Sequence, residues 1–412
     1  MRARLALLGG VILALALALG VALARRPASN PDSERGPIVI GLLQALTGPM
    51  AMSEAPLVAA VKLAVEEING GGGLLGRRVE LRIEDTRADP PTAAAAAGRL
   101  IREQRAVALF GCWTSACRQA VRPVVEAQKH LLFYPLAHEG MERSPHIVYT
   151  GPTPNQQVLP ATDWAMQGFG RRVYLLGTDS LFPHRVNAML RDFIQLGGGR
   201  VLGERYVPLG GVNMTEIVAD LQRLKPDLVL STVSGDSNGA LFDALVAAAL
   251  TDLPLLSFTA AEPEMRAYGG GRLARHFTAW SYLQSLPGPA NDAFLARLRN
   301  VNGAATQASD PAVSAYVAVR LWAAAVTEVG GTQVEAVNAN VLQQSVEVPH
   351  GFTAVDPQTR HVWRPLRIAQ VRPDGQLAEV WQTARHIRPA PWPAFRSADH
   401  WAAIVAATGG RP

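Results

Sequence analysis

Residues 106–139 read AVALFGCWTSACRQAVRPVVEAQKHLLFYPLAHE. The apolar run 107–110 predicts a buried parallel strand, and Gly111 ends it and lets the backbone turn tightly. Cys112, Trp113, Thr114 and Ser115 follow, then a helical pattern over about 116–128 with Ala120, Val121, Val124 and Val125 on one face. A second buried strand at 131–134 is closed by Pro135. Such a strand–turn–helix–strand unit sets Trp113, Thr114, Ser115 and Tyr134 at the carboxyl ends of adjacent parallel strands. Open α/β sheets bind ligands there, because free N–H groups at helix starts and side chains of neighbouring loops converge.

Outward from this unit the same alternation recurs. Residues 37–43 (PIVIGLL) predict a first strand, about 57–69 an amphipathic helix, 79–83 a second strand and 92–103 an alanine-rich helix. After Pro152 the pattern restarts, with strands at 172–177, 201–207, 228–233, 255–258 and 277–282 separated by helical stretches. Three helical stretches, 293–298, 312–329 and 334–342, precede short strand-like pieces at 351–355, 366–371 and 377–381. The expected class is α/β, with two doubly wound parallel-sheet lobes whose facing strand ends make one cleft.

With 412 residues, 48% apolar and 18% charged, the chain can build two sizeable cores. A net charge of +5, with no basic run interleaved with aromatics, argues against nucleic acid as a partner. Arg2 and Arg4 precede an uncharged apolar stretch, 5–24, that ends in the A-x-A pattern Ala22-Leu23-Ala24. This predicts a signal peptide over 1–24, a periplasmic location, and a charge falling from +5 to +3 on loss of the two arginines. The competing reading is an uncleaved membrane anchor, since twenty apolar residues can span a bilayer; cleavage would leave no membrane insertion. Residues 25–36 form a polar tether. Cys112 and Cys117, five positions apart, could pair in an exported chain, but a strand end and an early helix turn suit simple packing at least as well, and packing is the expected role.

The glycine-rich 71–76 matches G-x-G-x-x-G but follows a helix and precedes a strand, the reverse of a dinucleotide fingerprint, so a turn is expected. No P-loop, G-x-S-x-G elbow or histidine metal pattern appears, and His138, His184 and His361 read as surface or supporting groups. The expectation is therefore no enzyme, no cofactor and no metal. The candidate ligand set is Trp113, Thr114, Ser115 and Tyr134 in the first lobe, joined by Ser180, Asp236 and Glu262 from second-lobe loops. Asp179 and Ser237 also fit helix capping. Together the set suits a small neutral solute. Asp236 or Glu262 would accept from its NH₂ groups, a Ser hydroxyl or the Tyr134 phenol would donate to its carbonyl, and Trp113 would form an apolar wall.

Several of these motifs together resemble a known family. Residues 111–116 (GCWTSA), 132–135 (LFYP), 139–140 (EG), 149–151 (YTG), 154–157 (PNQQ), 234–238 (SGDSN), 363–365 (WRP) and 387–389 (IRP) are similar to the urea and short-chain amide binding proteins of ABC transporters. These are type I periplasmic binding proteins of the Leu/Ile/Val class, and the resemblance covers about 37–393. It implies two lobes joined by three crossovers near Asn155, Gln284 and Val346. Lobe 1 is then 37–155 with 284–345, lobe 2 is 156–283 with 346–393, and 394–412 is a carboxyl-terminal tail. It further implies capture of urea or a short-chain amide for an ABC permease, with Trp113, Ser115, Tyr134, Asp236 and Glu262 as contacts. The alternatives are a branched-chain amino-acid binder and a membrane-anchored amide sensor. Ser180 stands where the family usually has Tyr, and Leu136, Ala137 and His138 replace a polar or aromatic pair. Both departures predict a larger or more apolar pocket.

Overall fold

The computed structural model describes residues 36–409. The expected signal 1–24, and all of the tether except Gly36, lie outside these residues. Two α/β sheets dominate. The first is built from β1 (Ile38–Gln44), β2 (Val79–Asp85), β3 (Leu109–Gly111), β4 (Leu132–Tyr134) and β5 (Ile147–Tyr149), parallel throughout in the order β5-β4-β3-β1-β2. Helices α1 (Ala51–Gly70), α2 (Pro90–Arg102) and α3 (Ser115–Ala127) connect them. Their starts follow capping chemistry: Asp89 accepts from Thr92 N at 2.9 Å, and Pro90 occupies the first turn of α2.

The second lobe alternates α4 (Val158–Phe169), β6 (Arg172–Thr178), α5 (Leu181–Leu196), β7 (Arg200–Val207), α6 (Thr215–Leu224), β8 (Leu228–Thr232), α7 (Ser237–Ala247), β9 (Leu255–Ser257), α8 (Glu262–Ala267) and β10 (His276–Trp280). Its parallel strands run in the order β10-β9-β8-β6-β7. Near-continuous apolar strands such as 228–230 and 255–256 are buried on both faces, one core cluster lying on each side of the sheet. The chain then returns to the first lobe through α9 (Pro289–Asn302), α10 (Asp310–Val329) and α11 (Val334–Asn340), with α9 and α10 packed on α1. By length and composition α10 could cross a membrane, yet it is mostly buried and forms part of the first core.

Two parts of the expected domain division need correction. The resemblance places residues after Val346 in lobe 2, but β11 (Ser345–Val348), β12 (Gly351–Asp356) and β13 (His361–Val362) extend the first sheet beyond β5. The reason is a pair of tight reversals. Gly351 at φ +128° folds β12 back onto β11, and Arg360 at φ +65° does the same for β13 on β12. The third crossing therefore falls at residues 363–366, after which β14 (Arg367–Val371) and β15 (Leu377–Gln382) add antiparallel strands to the second sheet. The expected tail, 394–412, contains helix α12 (Ala398–Ala407). Its Trp401 is fully buried in the second-lobe core and donates to Pro393 O at 2.9 Å, which ties the segment down.

Where the chain crosses between lobes, one arginine gathers the strands. The Arg364 guanidinium donates to both Asp310 carboxylate oxygens at 2.6 Å, to Ser281 Oγ and Ser314 Oγ at 2.8 Å, and to Thr150 O. Asp310 also accepts from Ser281 N and Tyr282 N at 2.8 Å. Thr150, Ser281 and Arg364 belong to the first, second and third crossings respectively, so a single buried ion pair links all three.

Candidate functional site

The carboxyl ends of β3 and β4 in the first sheet face those of β6, β8, β9 and β10 in the second across a cavity of about 310 Å³. On the first-lobe side the chain leaves β3 through Gly111, whose φ of +112° and approach to Leu43 O leave no room for a Cβ (it would sit 2.2 Å from that oxygen). Cys112 follows in a left-handed conformation, φ +61°, and its N–H donates to Leu43 O at 2.9 Å. Thr114 then caps α3, its hydroxyl oxygen accepting from Cys117 N at 3.1 Å. Cys112 and Cys117 form a disulfide, with Cα atoms 5.6 Å apart, so the packing role expected of them is corrected. One helical turn brings the two thiols within bonding reach, which a spacing of five does not by itself guarantee.

Trp113, Thr114, Ser115 and Ser180 all line the cavity. Tyr134 does not. It lies fully buried behind the wall, and its phenol donates to Trp113 O at 2.8 Å, so it supports the tryptophan backbone. Asp236, just before α7, does not line the cavity either. Its carboxylate accepts from Tyr268 OH at 2.5 Å, and its N–H donates across to Pro49 O of the first lobe at 3.2 Å. Glu262 opens α8 near the second crossing, where its Oε1 accepts from Gln284 N at 2.7 Å. Burial pushes its carboxyl up to about 8, partly offset by that backbone hydrogen bond, and its Oε2 has no protein partner. It borders a separate hinge-side pocket of about 220 Å³.

The rest of the cavity is largely apolar. Leu136 and Ala137 follow β4, Phe182 and Pro183 open α5, Phe258 follows β9, and Trp280 ends β10. Trp280 is fully buried, with its indole N–H donating to Ala260 O at 3.0 Å. Phe182, Phe258 and Trp280 stand outside the set expected from the sequence. The rule that strand ends line the crevice would have found Phe258, which closes the predicted strand 255–258; Trp280 escaped it because the observed strand ends there, two residues short of the predicted 277–282. The polar groups added by the second lobe are Asp179, Ser180, Ser234 and Thr259, and no lysine or arginine lines the cavity. Ser180 precedes α5 in extended conformation and makes no side-chain capping bond.

Directly behind Ser115 lies a dense set of buried charges. Ser115 Oγ donates to Glu139 Oε2 at 2.6 Å and accepts from Arg118 Nη1 at 3.0 Å. Arg118 also donates to Glu139 and Glu142, each at 3.1 Å, and Tyr149 OH donates to Glu142 at 2.7 Å. From the second lobe Arg185 reaches Glu139 Oε1 at 2.8 Å, while its Nε donates to Thr408 Oγ1 at 2.9 Å. Burial would raise the Glu139 carboxyl, but Arg118 and Arg185 outweigh it and bring it down to about 2. The Ser115 proton is thus committed to an ionised carboxylate. His138 and His361, read as surface or supporting groups, are fully buried, their Nε2 atoms 2.7 Å apart.

Two α/β lobes, three crossings and a cavity closed between facing strand ends define a bilobal capture fold. The family model "Periplasmic binding protein domain" matches residues 38–398, and the chain belongs to that family. Leu/Ile/Val-binding protein homolog 8 of Brucella abortus is 25% identical over 207 residues, 47% of this chain and 51% of that protein. The match thus spans about half the length of this curated relative. Leu/Ile/Val-binding protein BraC3 of Rhizobium johnstonii is 34% identical over 87 residues, 21% of this chain and 22% of its own. Among solved structures, a solute-binding protein of an ABC transporter from R. palustris, in complex with 4-hydroxybenzoate, superposes with a TM-score of 0.78 at 23% identity. It covers 87% of this chain and 100% of that one. LivJ of Streptococcus pneumoniae, in complex with isoleucine, gives 0.74 at 17% identity over 86% of this chain and 100% of its own. At these identities the structural likeness speaks for the fold.

Proposed function

We propose that the protein is an extracytoplasmic solute-binding component that captures a small, mainly apolar organic acid, aromatic or branched, between its lobes and hands it to an ABC permease. The observation that carries this reading is the cavity wall of Trp113, Phe182, Phe258 and Trp280, with polar groups confined to hydroxyls, one carboxylate and helix starts. Its volume of about 310 Å³ suits a ring or branched chain rather than urea. Thr114 and Ser180 hydroxyls, with backbone N–H groups opening α3 and α5, would receive a carboxylate or carbonyl head without a cationic side chain. The expected acceptors of an amide NH₂ group, Asp236 and Glu262, do not line this cavity, which weighs against urea or a short-chain amide.

A branched-chain amino acid is the second reading. Asp179 lines the cavity from the second lobe, its Oδ1 2.7 Å from His184 Nε2, and its carboxylate would meet an ammonium there. The likeness to neighbours crystallised with 4-hydroxybenzoate and isoleucine supports both candidates. Neither reading involves bond-making chemistry, so no enzymatic activity is proposed. Export and cleavage after residue 24 remain part of the proposal, against a retained membrane anchor serving a sensor. Amino-terminal sequencing of exported protein separates the two. Isothermal calorimetry with 4-hydroxybenzoate, isoleucine, urea and acetamide tests the ligand class. The expected result is heat with one of the first two only; tight urea or acetamide binding overturns the reading.

A further inference from the structure

The Cys112–Cys117 disulfide closes a ring around four residues, Trp113, Thr114, Ser115 and Ala116, and all four line the interlobe cavity. The chain contains two cysteines and spends both on this wall. A ring this short removes little chain entropy from the unfolded state, so it is a poor device for holding a whole domain together. It is a good one for fixing a local shape. The shape needs fixing, because Cys112 is held at φ +61°, a region that residues with a Cβ seldom occupy. Around it, Thr114 Oγ accepts from Cys117 N, Tyr134 OH donates to Trp113 O and Ser115 Oγ donates to Glu139.

We propose that Cys112 and Cys117 are positioning residues of the binding site, their disulfide holding the wall 113–116 in its ligand-ready form. The inference rests on the reading of this cavity as the solute site. A wall already ordered before the ligand arrives loses less conformational freedom on binding, which appears as affinity. Thr114, as helix cap and cavity hydroxyl at once, is the residue through which a slackened ring would change ligand contacts.

The test compares the protein with its Cys112→Ala/Cys117→Ala form. Both sulfurs are buried, so alanine exposes no new polar group. Two readouts are taken: amide hydrogen exchange without ligand, and calorimetric Kd for 4-hydroxybenzoate and isoleucine. Exchange over 113–117 is expected to quicken by about tenfold or more, with β6 and β8–β10 unchanged and Kd weakened about tenfold. Unchanged local exchange with Kd within about twofold overturns the proposal, as does loss of protection across both sheets, which marks a global staple. If the intact protein binds neither probe, the ligand reading falls while local exchange still decides the positioning role. Should the double variant fail to fold, phosphine reduction of the intact protein supplies the same exchange comparison.

Discussion

The hinge and the cavity between the lobes are lined on opposite principles. At the hinge, Arg364 and Asp310 are buried together, and every donor on the guanidinium faces an acceptor contributed by the crossings or by α10. At the cleft, the walls are aromatic and aliphatic, with no basic side chain. A buried ion pair tolerates little misalignment, since separating its members leaves an uncompensated charge in a poor solvent. An apolar wall can part from its partner and be rewetted at modest cost. Charge therefore holds the three crossings in one arrangement, whereas apolar surface lets the cleft exchange water for a solute. The buried set behind Ser115 follows the hinge's principle within reach of the cleft, which is why that serine does not behave as a free hydroxyl.

The sharpest way to break this contrast is Arg364→Leu, which leaves Asp310 buried and unpaired. A loss of about 3–5 kcal/mol is expected in denaturant unfolding. Arg364→Leu/Asp310→Leu should recover much of it, and a double variant no better than the single would contradict the ion-pair account.

Next in size is a pH effect at the second crossing. Glu262 is raised from 4.5 to about 8, so the folded protein keeps a proton that the unfolded chain releases above about 4.5. Stability should fall as pH rises from about 4.5 to 8. Glu54 is raised to about 8 by the same burial and adds to the slope. Glu262→Gln should flatten part of it and gain about 2 kcal/mol near pH 8, read as thermal midpoints across the range. Glu139 has the opposite sign. Depressed to about 2, it stabilises above about 4.5 and loses that contribution as pH falls toward 2. Glu139→Gln should weaken the acid limb while leaving the alkaline one in place.

At the cleft the expected stability effects shrink and the binding effects grow. Trp280→Phe removes the indole donor to Ala260 O and opens space in the wall, costing about 1 kcal/mol of stability. Its larger expected effect is on calorimetric affinity for 4-hydroxybenzoate. Ser180→Ala should change stability by less than about 0.5 kcal/mol, because the hydroxyl makes no cap bond, and should lower affinity if it meets the ligand's head group. Affinity unchanged in both variants would move the ligand away from the second-lobe wall.

Much of the framework was legible in the chain. Short apolar runs and period-3.6 patterns over 37–283 mark alternating strands and helices, and the rule for strand ends brings Trp113, Thr114, Ser115 and Ser180 to one cavity. It was less able to aim side chains. Tyr134 and Glu262 stand close to strand ends, yet one turns behind its wall and the other toward the hinge. The direction of a side chain at a loop depends on neighbours far away in the chain, such as Gln284 for Glu262. The β11–β13 segment was misassigned for a related reason: short strands carry little periodicity, and membership in a sheet is set by partner edges.

Local order, then, is written in the sequence: hydrophobic period, caps such as Asp89 and Thr114, and the glycine that ends β3 act over a few residues and need no partner. The meeting of three crossings on Arg364 and the aromatic lining of the cavity arise only when distant segments pack. Burial and charge pairing are properties of a neighbourhood, and that neighbourhood exists only in the folded chain.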